Sequence, residues 1–191
     1  MDRLLDAGAR AFADKGFHAT TTRDIASRAG LSPAGVYVHF ASKEALLHAL
    51  SLAGHEAALD LVSRALTEPP TPTLRLTRLM SDFAAWHAEH HEVARVVQYE
   101  FPHLSPGHYA EVVALRRELH AKVQAVVEDG VTGGEFVVDD VRETVLALLS
   151  LCIDVARWYS PRGRLTASDI GSRYASLGLR LLGADRRVPG S

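Results

Sequence analysis

Helical periodicity, interrupted at intervals by caps and breakers, is the feature that most limits what this chain can become. Leu5, Ala9 and Phe12 recur on one helical face, and Gly16 closes that run. Thr21, followed three residues later by Asp24, has the form of a capping box opening a second helix that stops at Gly30. Ser32 with Pro33 behind it opens a short third helix ending near Phe40. A fourth begins at Ser42, Lys43 and Glu44 and runs through Leu46, Leu47, Leu50 and Leu61 to about Leu66, where the proline-rich stretch 68–72 breaks the chain. Longer helices follow over about 74–89, 92–101 and 105–130. Asp140 with Glu143 caps an eighth helix that runs to Tyr159, and Thr166 with Asp169 caps a ninth that ends at Gly183. No segment of any length alternates with the two-residue period of a strand, and there is no internal repeat. The expectation is an all-α fold of nine helices.

Composition narrows the function classes. The 191 residues, 47% of them apolar, suffice to bury one large core or two small ones, and 23% charged residues exclude a fibrous or disordered chain. A net charge of −2 with a pI of about 6.5 argues against a protein whose whole surface grips nucleic acid. Residues 1–50 are hardly more basic, with Arg3, Arg10, Lys15, Arg23, Arg28 and Lys43 set against Asp2, Asp6, Asp14, Asp24 and Glu44. Cys152 is the single cysteine, so neither an intrachain disulfide nor a cysteine-rich zinc site can form. The longest apolar run, Val145 to Ile153, contains Ser150 and meets Asp154, which is too short to span a bilayer. Asp2, Asp6 and Arg10 interrupt any signal-peptide layout. A soluble, cytoplasmic protein is expected, with no membrane partner, no bound metal and no resident cofactor.

The stretch from Thr21 to Lys43 carries the most chemistry. A short helix burying Ile25 and Ala26, the turn Gly30-Leu31-Ser32 with Leu31 packed inside it, and a second short helix make a helix-turn-helix plan. The third helix then enters a major groove by its N-terminal residues. Thr22, Tyr37, His39 and Lys43 carry donors suited to phosphate oxygens, and the first turns of the second and fourth helices aim backbone N–H groups the same way. Lys43 is a cation at a helix start, where the dipole repels it and a phosphate would relieve it. The reading face of Pro33, Ala34, Gly35 and Val38 is poor in polar groups, so thymine methyls and DNA shape carry part of any specificity. The candidate contact set is Thr21, Thr22, Arg23, Ser32, Pro33, Ala34, Gly35, Tyr37, Val38, His39 and Lys43.

These residues also resemble a family. Phe12, Gly16, Thr20-Thr21, Asp24-Ile25-Ala26, Ala29-Gly30-Leu31-Ser32, Val36-Tyr37, His39-Phe40 and Ser42-Lys43-Glu44-Ala45-Leu46 fall at the positions and spacings of the tetracycline-repressor (TetR) family. The resemblance implies a three-helix DNA-binding head at 1–45, a ligand-binding and dimerisation domain at 46–191, and repression of palindromic double-stranded DNA relieved by a small molecule. Two features depart from the pattern. Ala34-Gly35 replaces the usual glycine and hydroxyl residue early in the third helix, and the chain begins directly in its first helix without a basic arm.

The rest of the chain offers a dimer surface and a pocket. Val141, Val145, Leu148, Leu149 and Cys152 on the eighth helix, with Ile170, Tyr174, Leu177 and Leu181 on the ninth, form apolar stripes; Gly171, Ala175 and Gly178 add a narrow small-residue face. Homodimerisation through helices eight and nine is expected, the alternative being that both merely cover their own core. Candidate ligand-binding residues are Phe83, Trp86, His87, Tyr99, His103, Tyr109, Arg116, His120, Arg157 and Trp158. Arg116 interrupts an apolar stripe of Tyr109, Val112, Leu119 and Val123 and so calls for an anion, from a carboxylate such as Glu100 or Asp154 or from an acidic ligand. Arg157 can equally pair with Asp154. His87, His90 and His91 sit near a helix end, where imidazoles are electrostatically welcome without a metal.

Ala94-Arg95-Val96, Glu100, Leu104, Arg116-Arg117, Gly134-Glu135-Phe136, Trp158-Tyr159, Pro161 and Gly163-Arg164-Leu165 are similar to a TetR branch governing catabolism of fatty, aromatic and steroid acids. That resemblance implies an acyl-CoA thioester, or a related small hydrophobic molecule, as effector. A repressor responsive to drugs or other small molecules stands as the alternative. A helical enzyme using the histidine-rich pocket is the remote one, because no Ser/His/Asp set or carboxylate pair stands out.

Overall fold

A computed structural model of the chain describes residues 2–184. Among them are nine α-helices: α1 (Asp2–Ala19), α2 (Thr22–Ala29), α3 (Pro33–His39), α4 (Lys43–Thr67), α5 (Pro72–Glu89), α6 (His91–Glu100), α7 (Pro106–Thr132), α8 (Val141–Trp158) and α9 (Ala167–Leu181). A 3-10 turn, Phe101–His103, joins α6 to α7. The caps form as read. Thr21 Oγ1 accepts from the Asp24 N–H at 3.2 Å while Asp24 Oδ2 accepts from the Thr21 N–H at 2.9 Å. Thr166 and Asp169 repeat this exchange at 3.1 and 2.9 Å, and Ser32 Oγ accepts from the Gly35 N–H at 3.1 Å. Gly30 closes α2 at φ 69°, left-handed backbone that a β-carbon would strain. Gly16 breaks the helical run where expected, with non-helical backbone at φ 74° and ψ 166°; a final turn follows to Ala19, and the buried Thr20 hydroxyl reaches the carbonyls of Ala11 and Gly16.

Packing sorts the chain into two compact units. One holds the chain through Ala57 together with Glu92–Leu115; the other holds Ala58–His91 and the chain from Arg116. The first core joins Phe12, Ile25, Val36, Phe40, Leu46 and Leu47 to Val96, Phe101, Leu104 and Val112. The helix-turn-helix therefore rests on α6 and the start of α7 as well as on α1 and α4. The second core joins Leu76, Leu79, Met80 and Phe83 of α5 to Val145, Leu148 and Cys152 of α8, Ile170 of α9 and Phe136. Each such fully buried Leu or Phe contributes about 1.5–3 kcal/mol relative to exposure.

The second core corrects the expected dimer face. A methyl group at Gly171 would lie 2.6 Å from the Ser81 carbonyl oxygen, and one at Gly178 would lie 2.7 Å from Met80 Cγ. The small-residue stripe thus lets α9 press against α5 of its own chain. Val145, Leu148, Leu149, Cys152 and Ile170 are interior too. Helical spacing tells which residues share a face but not which helix covers it. What α8 and α9 leave exposed is Leu177 and Leu181 of the expected α9 stripe, together with Leu146 and Trp158 from outside the α8 stripe.

Candidate functional site

The helix-turn-helix presents one continuous surface. Val36 is buried in the head core, and this turns Tyr37 and Val38 outward at 56% and 80% exposure. Thr21, Arg23, Ser32, Pro33, Ala34 and His39 are also exposed, while Thr22 and Gly35 are half-buried. The Tyr37 hydroxyl lies 3.3 Å from Thr22 Oγ1, tying the recognition helix to the first turn of α2. Two donors suited to one phosphate therefore stand side by side. Leu31 is not packed inside the turn: it is 43% exposed, and its N–H donates to the Ala26 carbonyl at 2.9 Å. It extends the apolar reading surface of Pro33, Ala34 and Val38.

Lys43 is occupied within the protein. Its ammonium donates to the carbonyls of Phe17 at 2.7 Å, His18 at 3.1 Å and Thr20 at 3.0 Å, and it lies 4.5 Å from the Phe17 ring centroid. Three donors meet three acceptors at the C-terminal end of α1, and those carbonyls offset the repulsion from the α4 dipole. Lys15 is paired with Asp24 at 2.7 Å, and Arg28 with Asp14. The Lys15 ammonium, then the Thr21 hydroxyl and N–H, hold the Asp24 carboxyl well below the ordinary carboxylate range.

Sequence reading missed a second cluster in this unit, where α4 meets the start of α7. Glu44 accepts from the Ser105 N–H and from His108 Nδ1, both at 2.8 Å. Burial raises its carboxyl, but these two partners together outweigh that and hold it below its ordinary value. The His108 ring stacks on His48 at 3.7 Å, and His48 Nε2 lies 2.9 Å from Glu111 Oε2, off the hydrogen-bonding direction. Partners 61 to 64 residues apart leave no local pattern by which to find them.

The expected ligand residues divide between the units. In the second, Phe83 and His87 are buried with ring centroids 4.4 Å apart, Trp86 lies 5.0 Å from His87, and it stacks on His90 at 4.8 Å. His120 is half-buried and Trp158 exposed; Arg157 grips Asp154 through two bonds of 2.7 and 2.8 Å. Arg116 is exposed, at the margin of the stripe formed by buried Leu119 and Val123, so no buried anion is demanded of it. In the first unit, His103 stacks on Phe17 at 5.2 Å and meets His18 edge-on, while the exposed Tyr109 leans on Phe101 at 4.4 Å. Tyr99 is exposed. The Nδ1 atoms of His87, His90 and His91 each sit at a carbonyl of the same stretch, 2.8 to 3.0 Å away. Among the described residues no group of three or more His, Cys, Asp or Glu side chains is arranged to hold a metal.

Residues 4–50 match the bacterial regulatory proteins of the tetR family, and residues 69–182 match the tetracyclin repressor-like C-terminal domain. The chain belongs to the TetR family of transcriptional regulators. The regulator is 32% identical over 180 residues to the HTH-type transcriptional repressor KstR2 of Mycolicibacterium smegmatis, an alignment covering 92% of this chain and 87% of that one. Among solved structures, a tetR-family regulatory protein from Rhodococcus RHA1 superposes with a TM-score of 0.89 at 38% identity, covering 95% of both chains. The ketosteroid transcriptional regulator KstR2 of Mycobacterium tuberculosis gives 0.86 at 28% identity, covering 94% of each. These relatives are a transcriptional repressor and regulatory proteins, the class the sequence implied. No helix among the described residues is long and apolar enough to cross a membrane.

Proposed function

We propose that this regulator is a homodimeric repressor of genes for the catabolism of steroid, fatty or aromatic acids, released from palindromic operator DNA when such an acid binds as its CoA thioester. The observation that carries the reading is the extent of the similarity to KstR2. It runs through 92% of the chain and so includes the effector half as well as the head that many DNA-binding proteins share. Half-buried Trp86 on α5, backed by buried Phe83 and His87, suits a flat hydrophobic acyl group. Arg116, His120, Arg157 and Trp158 of the same unit complete the proposed effector set, with arginines suited to CoA phosphates.

On DNA, Thr21, Thr22, Arg23, Tyr37 and His39 anchor phosphates, and Ser32 to Gly35 with Val38 face the bases. Lys43 acts by holding the end of α1 in place. Pairing through exposed Leu146, Leu177 and Leu181 is to set two heads about 34 Å apart, the spacing of successive major grooves. Displacement of α4 (Lys43–Thr67) by the effector is the proposed step that weakens operator binding. A coupling of about 1–3 kcal/mol suffices for release.

A thermal-shift series with free acids and their CoA thioesters, followed by release of promoter DNA, tests this. Thioesters raise the midpoint and free the DNA, while the bare acids do so weakly. Stabilisation by unrelated cationic drugs in place of thioesters would assign the effector to another class.

A further inference from the structure

The head must neutralise DNA phosphates with few cations, and the structure accounts for most of them elsewhere. Of the six in residues 1–50, Lys15 is paired with Asp24, Arg28 with Asp14, and Lys43 is held by three carbonyls. Arg3, Arg10 and Arg23 are left, with no ion pair to any described residue. Arg23 lies in the first turn of α2, among the expected contacts. The other two converge elsewhere.

Arg3 and Arg10, two helical turns apart on one face of α1, line an open recess of about 270 Å³ together with Asp6, Ala7, Arg28 and Ala29. Ala7 and Ala29 are buried and form a small-residue floor; the three arginines are exposed above it. The Arg3 guanidinium reaches over the end of α2, 3.9 Å from where a β-carbon on Gly30 would stand. The recess therefore adjoins the turn that leads into the recognition helix. Asp6 is the one carboxylate of its lining and Asp14 pairs with Arg28, so three guanidiniums against two carboxylates leave a local surplus of one positive charge. Arg28 spends one N–H on Asp14 and has others for a second acceptor. The volume accommodates a tetrahedral oxyanion with bridging waters.

We infer that this recess is a phosphate-binding site, formed by Arg3, Arg10 and Arg28, that takes a backbone phosphate of bound DNA outside the helix-turn-helix contacts. The inference rests on the DNA-binding reading of the chain. A free phosphate group offers the same chemistry, so the experiment separates the two sources.

Binding of the full chain to a duplex of arbitrary sequence is measured by fluorescence anisotropy across a salt series, because phosphate contacts do not depend on sequence. For wild type, log affinity falls linearly with log salt; a flat or undetectable response would refute DNA binding itself, not the recess. Arg3→Gln with Arg10→Gln is expected to reduce the slope by about one unit and to weaken low-salt binding at least about tenfold. Arg64→Gln with Lys122→Gln removes the same charge from exposed ion pairs on α4 and α7 and leaves the slope unchanged. Arg3→Lys with Arg10→Lys restores the slope, which excludes misfolding as the cause of its loss. An unaltered slope in the Gln pair, or a loss that the Lys pair does not reverse, would overturn assignment to DNA. In a parallel arm without DNA, pyrophosphate at matched ionic strength is tested for thermal stabilisation. Stabilisation of wild type but not of the Gln pair, with the slope unaltered, assigns the site to a free phosphate compound; no effect in either arm removes the site.

Discussion

Lys43→Met separates the two roles open to a lysine at the start of α4. The substitution keeps the apolar stem and removes the ammonium, leaving the carbonyls of Phe17, His18 and Thr20 without their donor. Two of the three bonds are part-buried, and a buried hydrogen bond to a charged group contributes about 1.5–3 kcal/mol net. Water replaces the donor at the exposed His18 carbonyl and in part at the others, which reduces the sum. The cation–π contact with Phe17 adds about 0.5–1 kcal/mol. The expected loss is about 2–4 kcal/mol, a large share of a stability that is typically about 5–15 kcal/mol. The thermal midpoint falls by on the order of 10 °C for a chain of this size. Urea unfolding followed by circular dichroism measures the loss, and anisotropy against salt measures phosphate contacts on the same variant. The slope should be that of wild type. Unchanged stability with a slope lower by about 0.9 would refute the reasoning, because the ammonium would then be serving a phosphate.

Gly171→Ala should destabilise the protein by about 1–3 kcal/mol at any protein concentration, since the added methyl meets the Ser81 backbone of its own chain. Leu177→Glu with Leu181→Glu should do the reverse, shifting sedimentation toward monomer at low concentration while leaving each protomer folded. Acid unfolding should report on Glu44. Its folded carboxyl lies below its ordinary value, so its contribution is complete above about pH 4.3 and is lost as pH falls through the lower folded value. Glu44→Gln should flatten that part of the acid limb, and an unchanged limb would mean that the contact with Ser105 and His108 contributes nothing.

What was legible in the sequence was what short-range chemistry decides. Thr21 with Asp24, Ser32 with Pro33, and Thr166 with Asp169 fix helix starts through bonds spanning three residues, and each formed where it was read. The ordered string from Phe12 to Leu46 likewise pointed to the right family. Readings that depended on a distant partner fared differently. Gly171 and Gly178 announced a close helix approach but not that α5 would make it. Lys43 announced an unfavourable charge but not that the end of α1, more than twenty residues earlier, would absorb it. The apolar stripe of α7 gave burial for Val112, Leu119 and Val123 but placed Arg116 inside when it sits at the margin. Neither the Glu44–His108 contact nor the arginine recess has a local signature beyond the seven-residue spacing of Arg3 and Arg10.

The make-up of the first core has a consequence for anyone wishing to exchange specificities between relatives. A graft cut near residue 45 or 50 would move the recognition helix without Val96, Phe101, Leu104 and Val112, which share its hydrophobic core. The transplanted piece would meet foreign side chains on what ought to be a fitted surface, with the penalties of cavity or overpacking. A portable DNA reader from this chain is a discontinuous parcel, the N-terminal segment through Ala57 carried together with Glu92–Leu115. Chimeras built from both segments should fold and retain their operator, and those built from the first alone should fail in the hydrophobic core before specificity is ever tested.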